Sequence, residues 1–174
     1  MSKTELRKFL ARRSAQQLTQ EILILHERFP AVREYFASRL KTELGAELFG
    51  KYTRKIDAEF SISARNPTGR PSKGRQFLRE YRRAAVANED VIEISLYYVA
   101  AVLTFMRSFG IQENTYFRTV ESSFHEAAQL AAAHDLATSM AGAFEEVIGQ
   151  AMETSEHLGG ALRDVAGRYG LTSV

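Results

Sequence analysis

The sequence predicts an all-α fold, a compact multi-helix domain of seven to nine helices over residues 1–174. Only three prolines interrupt the chain, and the long intervals between them are rich in alanine, with apolar residues at spacings of three and four. Ser2-x-x-Glu5 and Ser14-x-x-Gln17 have the spacing of capping boxes, which mark helix starts. The composition, 45% hydrophobic and 25% charged, is typical of a globular protein.

The first two helices begin at these capping boxes. The second ends at Phe29, because Pro30 disfavours a helical residue before it and suits the first turn of a new helix. The apolar spacing then predicts a third helix over 32–40 and a fourth over 43–60.

The regular spacing breaks over residues 61–71. This stretch holds two prolines and a glycine without an apolar period, and we expect a flexible basic loop there. The pattern resumes as a fifth helix over 72–87, on which Phe77, Tyr81 and Ala84 share the buried side of a helical wheel.

The sixth helix, over 88–109, is apolar nearly all round, with Gly110 as its left-handed C-terminal residue. A helix that lacks a polar face has to be covered on several sides, so we place it at the centre of the fold, with Asn88 as its cap. Two further helices over 114–133 and 138–156 and a short last one over 159–170 complete the prediction.

Four stretches carry a resemblance: SKTELRKFL at the start, LTQEILILHERFPAVREYF across Pro30, KYTRKIDAEF before the loop, and Leu96-Tyr97-Tyr98. In them the chain resembles an uncharacterised family of small bacterial all-helical domains of unknown function. The helix–proline–helix stretch FPAVREYF is also similar to the helical hairpins of HEAT-like proteins. The second resemblance implies a binding module, and neither implies an activity.

Several activities are disfavoured by what the sequence lacks. There is no cysteine, which excludes thiol nucleophiles and thiolate metal sites, and no HExxH, GxSxG or phosphate-loop motif occurs. We therefore predict no enzyme activity and no cofactor. The start of the chain lacks the apolar run of a secretory signal, and the uncharged stretch 94–106 is shorter than the roughly 20 residues of a membrane span. We expect a cytoplasmic protein that does not bind membranes.

Charge is divided between the two halves of the chain. Residues 1–83 carry 19 Lys or Arg against 9 Asp or Glu, a formal +10, and residues 84–174 carry 4 against 12, a formal −8. Much of the positive charge falls on the loop and on the polar side of the fifth helix. We call these candidate partner- or phosphate-binding residues the basic surface: Arg65, Arg70, Lys73, Arg75, Arg79, Arg82 and Arg83.

Three interpretations of the basic surface stay open. It is a solvated polar face, which needs no function. It is neutralised by acidic residues of the same chain or of a second copy, for which the outer face of the helix over 138–156 offers Glu146 and Glu153. Or it binds the phosphates of nucleic acid, which arginine suits by its geometry.

We predict no metal site. Glu121 and His125 are the candidate ligands if a metal ion is bound, since they lie four residues apart and so on successive turns of one helix, but an ordinary helix-stabilising pair at the edge of the core is favoured. From all of this we predict a non-catalytic helical interaction module that binds a protein partner or itself. The alternative is a sequence-nonspecific nucleic-acid-binding protein that uses the basic loop and helix over 65–83.

Overall fold

The computed structural model describes residues 2–63, 68–85 and 87–171, apart from the side chains at 34, 35, 37–42 and 44. Within these residues the chain forms helices and no strands, so the prediction of an all-α fold is confirmed. Eight helices are described: α1 Lys3–Leu10, α2 Ala15–Arg28, α3 Pro30–Glu59, α4 Pro71–Ala84, α5 Asn88–Phe109, α6 Asn114–Ala133, α7 Ala137–Thr154 and α8 Glu156–Arg168.

The chain divides into two compact units, Met1–Leu44 and Gly45–Val174. Helices α1 and α2 belong to the first unit, helices α4 to α8 belong to the second, and the boundary falls within α3. The prediction of a single domain over the whole chain stays a prediction.

Both predicted capping boxes are present. The Ser2 hydroxyl accepts from the Glu5 backbone N–H at 3.2 Å, and the Glu5 carboxylate accepts from the Ser2 N–H at 2.7 Å. Ser14 and Gln17 make the same reciprocal pair. These bonds satisfy backbone donors that a helix start leaves without partners, which fixes where α1 and α2 begin.

The two helices predicted over 32–40 and 43–60 are in fact one helix, α3, which contains Gly45 and Gly50. A glycine within a helix costs only about 1 kcal/mol relative to alanine, and no proline lies between Pro30 and the loop. Burial of Tyr52 and Ile56 further along the helix offsets that cost. The loop starts after α3 as predicted, and its residues 64–67 lie outside the described residues.

Helix α5 lies in the core of the second unit and packs against α4, α6 and α7, as its apolar composition predicts. Its left-handed end at Gly110 is confirmed, with φ of 64°, whereas Asn88 is the first helical residue and Ala87 takes the cap position without a side-chain bond. Among the described residues, α5 is the one helix that is long and apolar enough to cross a membrane, judged by length and composition alone. Of its apolar 18-residue stretch, 61% is buried within the protein.

Helix α4 packs on α5 through a close backbone approach. Phe77 and Tyr81 are buried as predicted, but Ala84 is exposed, and Gly74 is buried instead. A methyl group at Gly74 would lie 2.1 Å from the Tyr98 ring, and the Tyr98 hydroxyl donates to the Pro71 carbonyl at 3.0 Å. The absence of a side chain at Gly74 therefore lets the start of α4 lie against α5.

The last two helices meet at Ser155. Helix α6 has the predicted bounds, but α7 ends at Thr154 and α8 begins directly at Glu156, three residues earlier than predicted. Ser155 has extended backbone, and its hydroxyl accepts from the Leu158 N–H at 3.4 Å. Serine is a favoured N-cap residue, and this cap separates the two helices without a glycine or proline.

Candidate binding surfaces

The basic surface is built on the first turns and the outer side of α4. Arg70 precedes the helix and Lys73 lies in its first turn, while the arginines of the basic surface after Lys73 lie along the rest of the helix. Arg65 lies outside the described residues. The positions of the six described cations differ in one important respect, which is whether a carboxylate of the same chain is beside them.

Arg70 is paired with Glu59 at the end of α3. Its Nε donates to Glu59 Oε1 at 2.9 Å and its Nη2 donates to Oε2 at 3.0 Å, while its backbone N–H also donates to Oε1. The hydrogen bond from the Arg70 side chain is the main reason that the pKa of Glu59 is lowered to about 2. This two-bond pair ties the end of the loop to α3.

Arg75 is bonded to α6. Its guanidinium donates to the Ser123 hydroxyl at 3.0 Å, to the Ser122 hydroxyl at 3.3 Å and to the Glu126 carboxylate at 2.7 Å. Two cations of the basic surface thus have internal anions, and these lie on α3 and α6. The acidic face over 138–156 supplies neither of them, and Glu153 pairs with Arg107 of α5.

Lys73 has local partners only. Its Nζ donates to Gln76 Oε1 at 3.1 Å and lies 5.4 Å from the centre of the Phe77 ring. Glu80, the single acidic residue of α4, faces Lys55 of α3 at 3.3 Å and accepts from the Gln76 amide at 2.7 Å. It therefore does not neutralise the arginines of its own helix.

The remaining cations of the basic surface are Arg79, Arg82 and Arg83. All three are exposed, and none has an ion pair or hydrogen bond with any residue in the described part of the chain. Arg79 and Arg82 line a shallow cavity of about 40 Å³ between α4, α5 and α6. This volume is far below the roughly 300 Å³ of a small-molecule pocket, so Arg79 and Arg82 do not line a small-molecule site.

The candidate metal pair lies in a cleft between α6 and α8. Glu121 and His125 line it, and His125 Nε2 lies 2.9 Å from the Tyr169 hydroxyl. The cleft has a volume of about 540 Å³. Among the described residues, no three His, Asp or Glu side chains lie close enough together to hold a metal ion. The other charged residues that line the cleft are Arg118, Asp164 and Arg168.

Sequence reasoning missed a surface in the first unit. All residues of α1 and α2 are described, and none of them is buried. Their capping boxes predicted the starts of both helices correctly, but apolar spacing alone does not tell whether the apolar faces are packed. The large apolar side chains that are exposed there are Leu6, Phe9, Leu10, Ile22, Leu23, Leu25 and Phe29.

These features define an all-helical protein whose distinctive described regions are charged and apolar surfaces and one polar cleft. Comparison with known proteins agrees with the resemblance to a family without a known role. The chain belongs to DUF6155, a family of unknown function, whose profile matches residues 1–157. No curated protein and no solved structure matches the chain.

Proposed function

We propose that this chain is a non-catalytic helical interaction module, and that its first two helices bind a second copy of the chain. The observation that carries the proposal is the exposure of α1 and α2, both of which are amphipathic and neither of which has a buried residue. An amphipathic helix in a globular protein normally covers its apolar face. Clustered exposed apolar side chains are typical of protein interaction sites.

The distribution of exposed residues supports a continuous binding face on each helix. At 100° per residue, Leu6, Phe9 and Leu10 fall within about 100° of one another on α1, and Ile22 and Leu25 fall within about 60° on α2. Fully burying such a side chain contributes roughly 1.5–3 kcal/mol, and these side chains, which are 36–46% exposed, keep part of that contribution for a contact with a partner.

The divided charge favours a second copy as the partner. Residues 1–83 carry a formal +10 (19 minus 9) and residues 84–174 carry −8 (4 minus 12). Contact between unlike parts of two identical chains brings opposite charges together without any other protein. Such complementarity speeds encounter and disfavours unmatched partners.

Sedimentation velocity of full-length variants tests the proposal. We expect Phe9→Ser and Ile22→Ser each to raise the dissociation constant of self-association by about tenfold or more, since each removes an apolar anchor from the contact. The matched control is Phe109→Ser, because Phe109 and Phe9 have similar exposure, 44% and 46%. Circular dichroism checks that helix content is kept.

Two results would contradict the proposal. One is a wild-type chain that sediments at 19.6 kDa at every concentration. The other is an equal loss of self-association in Phe109→Ser and Phe9→Ser, which would indicate general destabilisation and not a specific contact.

Nucleic-acid binding is the second candidate, and the three exposed arginines Arg79, Arg82 and Arg83 favour it. They have no partner within the described ranges. Arg79 and Arg83 lie four residues apart on one helix, where like charges repel each other, and a bound phosphate would relieve this repulsion. The test is titration with mixed-sequence duplex and single strand at about 50 and 200 mM salt, because phosphate contacts make affinity fall steeply with salt.

A triple variant with all three residues changed to Gln should weaken any such binding and reduce its salt dependence. Changing Arg118, Arg163 and Arg168 to Gln is the matched control, since these exposed arginines lie on α6 and α8. Absence of binding at about 50 mM salt would eliminate this candidate.

A further inference from the structure

A groove runs along the outer side of α5, between the second half of α3 and α7. It consists of two adjoining cavities of about 420 and 220 Å³ that share Tyr97, Ala100 and Gln150. The floor is formed by small and apolar side chains, among them Leu96 and Ala101. The groove lies entirely within the second unit of the chain.

The edges of the groove are acidic. Asp57, Glu93 and Glu146 line it and all are exposed, and no described lysine or arginine lines either cavity. Partial burial of its carboxylate, reinforced by the nearby Asp90 and Glu89, raises the pKa of Glu93. Asp57 accepts a hydrogen bond from the Tyr97 hydroxyl at 2.5 Å, which holds that carboxylate at the edge.

The groove is long enough to receive a short helix. Glu93 and Thr104, which lie near its two ends on α5, are separated by roughly 16 Å at a rise of 1.5 Å per residue. The eight-residue helix α1 is about 12 Å long by the same measure. Ala100 and Ala143 line the groove with little side-chain volume, which permits a second helix to approach α5 closely.

Helix α1 is complementary to this groove in both chemistry and charge. Leu6, Phe9 and Leu10 form its exposed apolar face. Residues 3–13 carry five Lys or Arg against one Glu, and that Glu is held in the capping box. The apolar floor and acidic edges of the groove match a short apolar helix face flanked by cations.

We infer that α1 of one copy lies in the α5 groove of a second copy, with its apolar face on the floor and its cations beside the acidic edges. This inference rests on the proposed function and specifies the surface that receives the first helix. Reciprocal insertion, in which each copy receives the α1 of the other, closes a two-fold dimer and leaves no open end.

Charge reversal in the full-length chain tests the inference. We expect the double variant Glu93→Lys, Glu146→Lys to raise the dissociation constant of the dimer about tenfold or more. Adding Lys3→Glu and Arg7→Glu to it should restore much of the lost affinity, because attraction is re-established with the signs exchanged. The matched control is Glu89→Lys, Glu145→Lys, which makes the same charge change on the same two helices outside the groove.

The outcomes separate this inference from the proposed function. If the groove variant and its control dimerise equally well while Phe9→Ser still dissociates, the groove is not the receiving surface and the proposed function stands. If the wild-type chain is monomeric throughout, both fail. If Phe9→Ser leaves the mass unchanged but abolishes binding to vesicles that contain anionic phospholipid, α1 binds membranes and the inference is overturned.

Cross-linking gives a second measurement that does not depend on affinity. The chain has no cysteine, so each introduced cysteine is unique. Chains with Arg7→Cys, which lies beside the apolar face of α1, are mixed with chains carrying Gln150→Cys, which lies in the groove, or Glu145→Cys, which lies outside it. We expect a disulfide-linked dimer of unlike chains with the Gln150 variant and little with the Glu145 variant. Equal linkage to both positions would overturn the inference.

Discussion

The single carboxylate of Glu59 organises the junction between α3 and α4. It is only 8% exposed, and it accepts three hydrogen bonds from Arg70, whose side chain is 61% exposed. The Glu59 backbone carbonyl also accepts from the Gly69 N–H at 2.9 Å. The part of the loop that follows residue 67 is therefore held to the end of α3.

Glu59→Gln should lower the free energy of unfolding by about 1–3 kcal/mol, because it removes hydrogen bonds to a charged acceptor that is largely buried. The pKa of Glu59 is depressed to about 2 from 4.5. The stability that the ionised Glu59 carboxylate contributes is therefore fully present above about pH 4.5 and is lost as the pH falls from there to about 2. Urea unfolding across this window should show a flatter pH dependence in the variant than in the wild type. An unchanged pH dependence would contradict this account, and Glu47→Gln, a change at an exposed residue of the same helix, is the control.

Gly74 is required by the close approach of α4 to α5. Gly74→Ala places a methyl group 2.1 Å from the Tyr98 ring, and we expect it to destabilise the protein by about 1–3 kcal/mol. Gly50→Ala is the contrasting change, since nothing lies within 4 Å of the added methyl group and α3 should gain up to about 1 kcal/mol. Thermal unfolding of both variants measures the difference. A neutral Gly74→Ala would mean that α4 shifts freely on α5.

At the scale of helices, Arg75 connects α4 to α6, whereas Arg79 on the next turn does not. Arg75→Ala should cost about 1–2 kcal/mol of stability, since it removes bonds to two serines and to Glu126. Arg79→Ala should have almost no effect, because Arg79 has no partner in the described part of the chain. Chemical denaturation of the two variants tests this contrast. Equal effects would show that the Arg75 contacts contribute nothing.

The sequence predicted most helices because their signals are local. Capping boxes lie within four residues of the helix start that they mark, and Gly110 ends α5 through its own backbone conformation. The continuity of α3 was not predictable from its two glycines, since packing outweighs so small a helix penalty. The partner of Arg75 lies 51 residues away on another helix, so the basic surface appeared more uniform in sequence than it is in the structure.

At the scale of the whole molecule, apolar spacing identified helices but not the surfaces that cover them. The same amphipathic pattern describes α1, which has no buried residue, and α4, whose Phe77 and Tyr81 are buried. Only the folded structure distinguishes an apolar face that is packed internally from one that stays exposed. The charge division of +10 and −8 likewise indicated complementarity without locating it, and in the structure it corresponds in part to a basic first helix and an acidic groove.

Hydrogen exchange of the full-length chain at low and high protein concentration tests self-association through α1 and α2 most directly. We expect amides in residues 3–28 to exchange more slowly at the higher concentration, because a second copy then covers these helices. Amides in the buried half of α6 should exchange at the same rate at both concentrations and serve as the internal reference. Equal exchange of residues 3–28 at both concentrations, in samples whose mass doubles, would contradict the account.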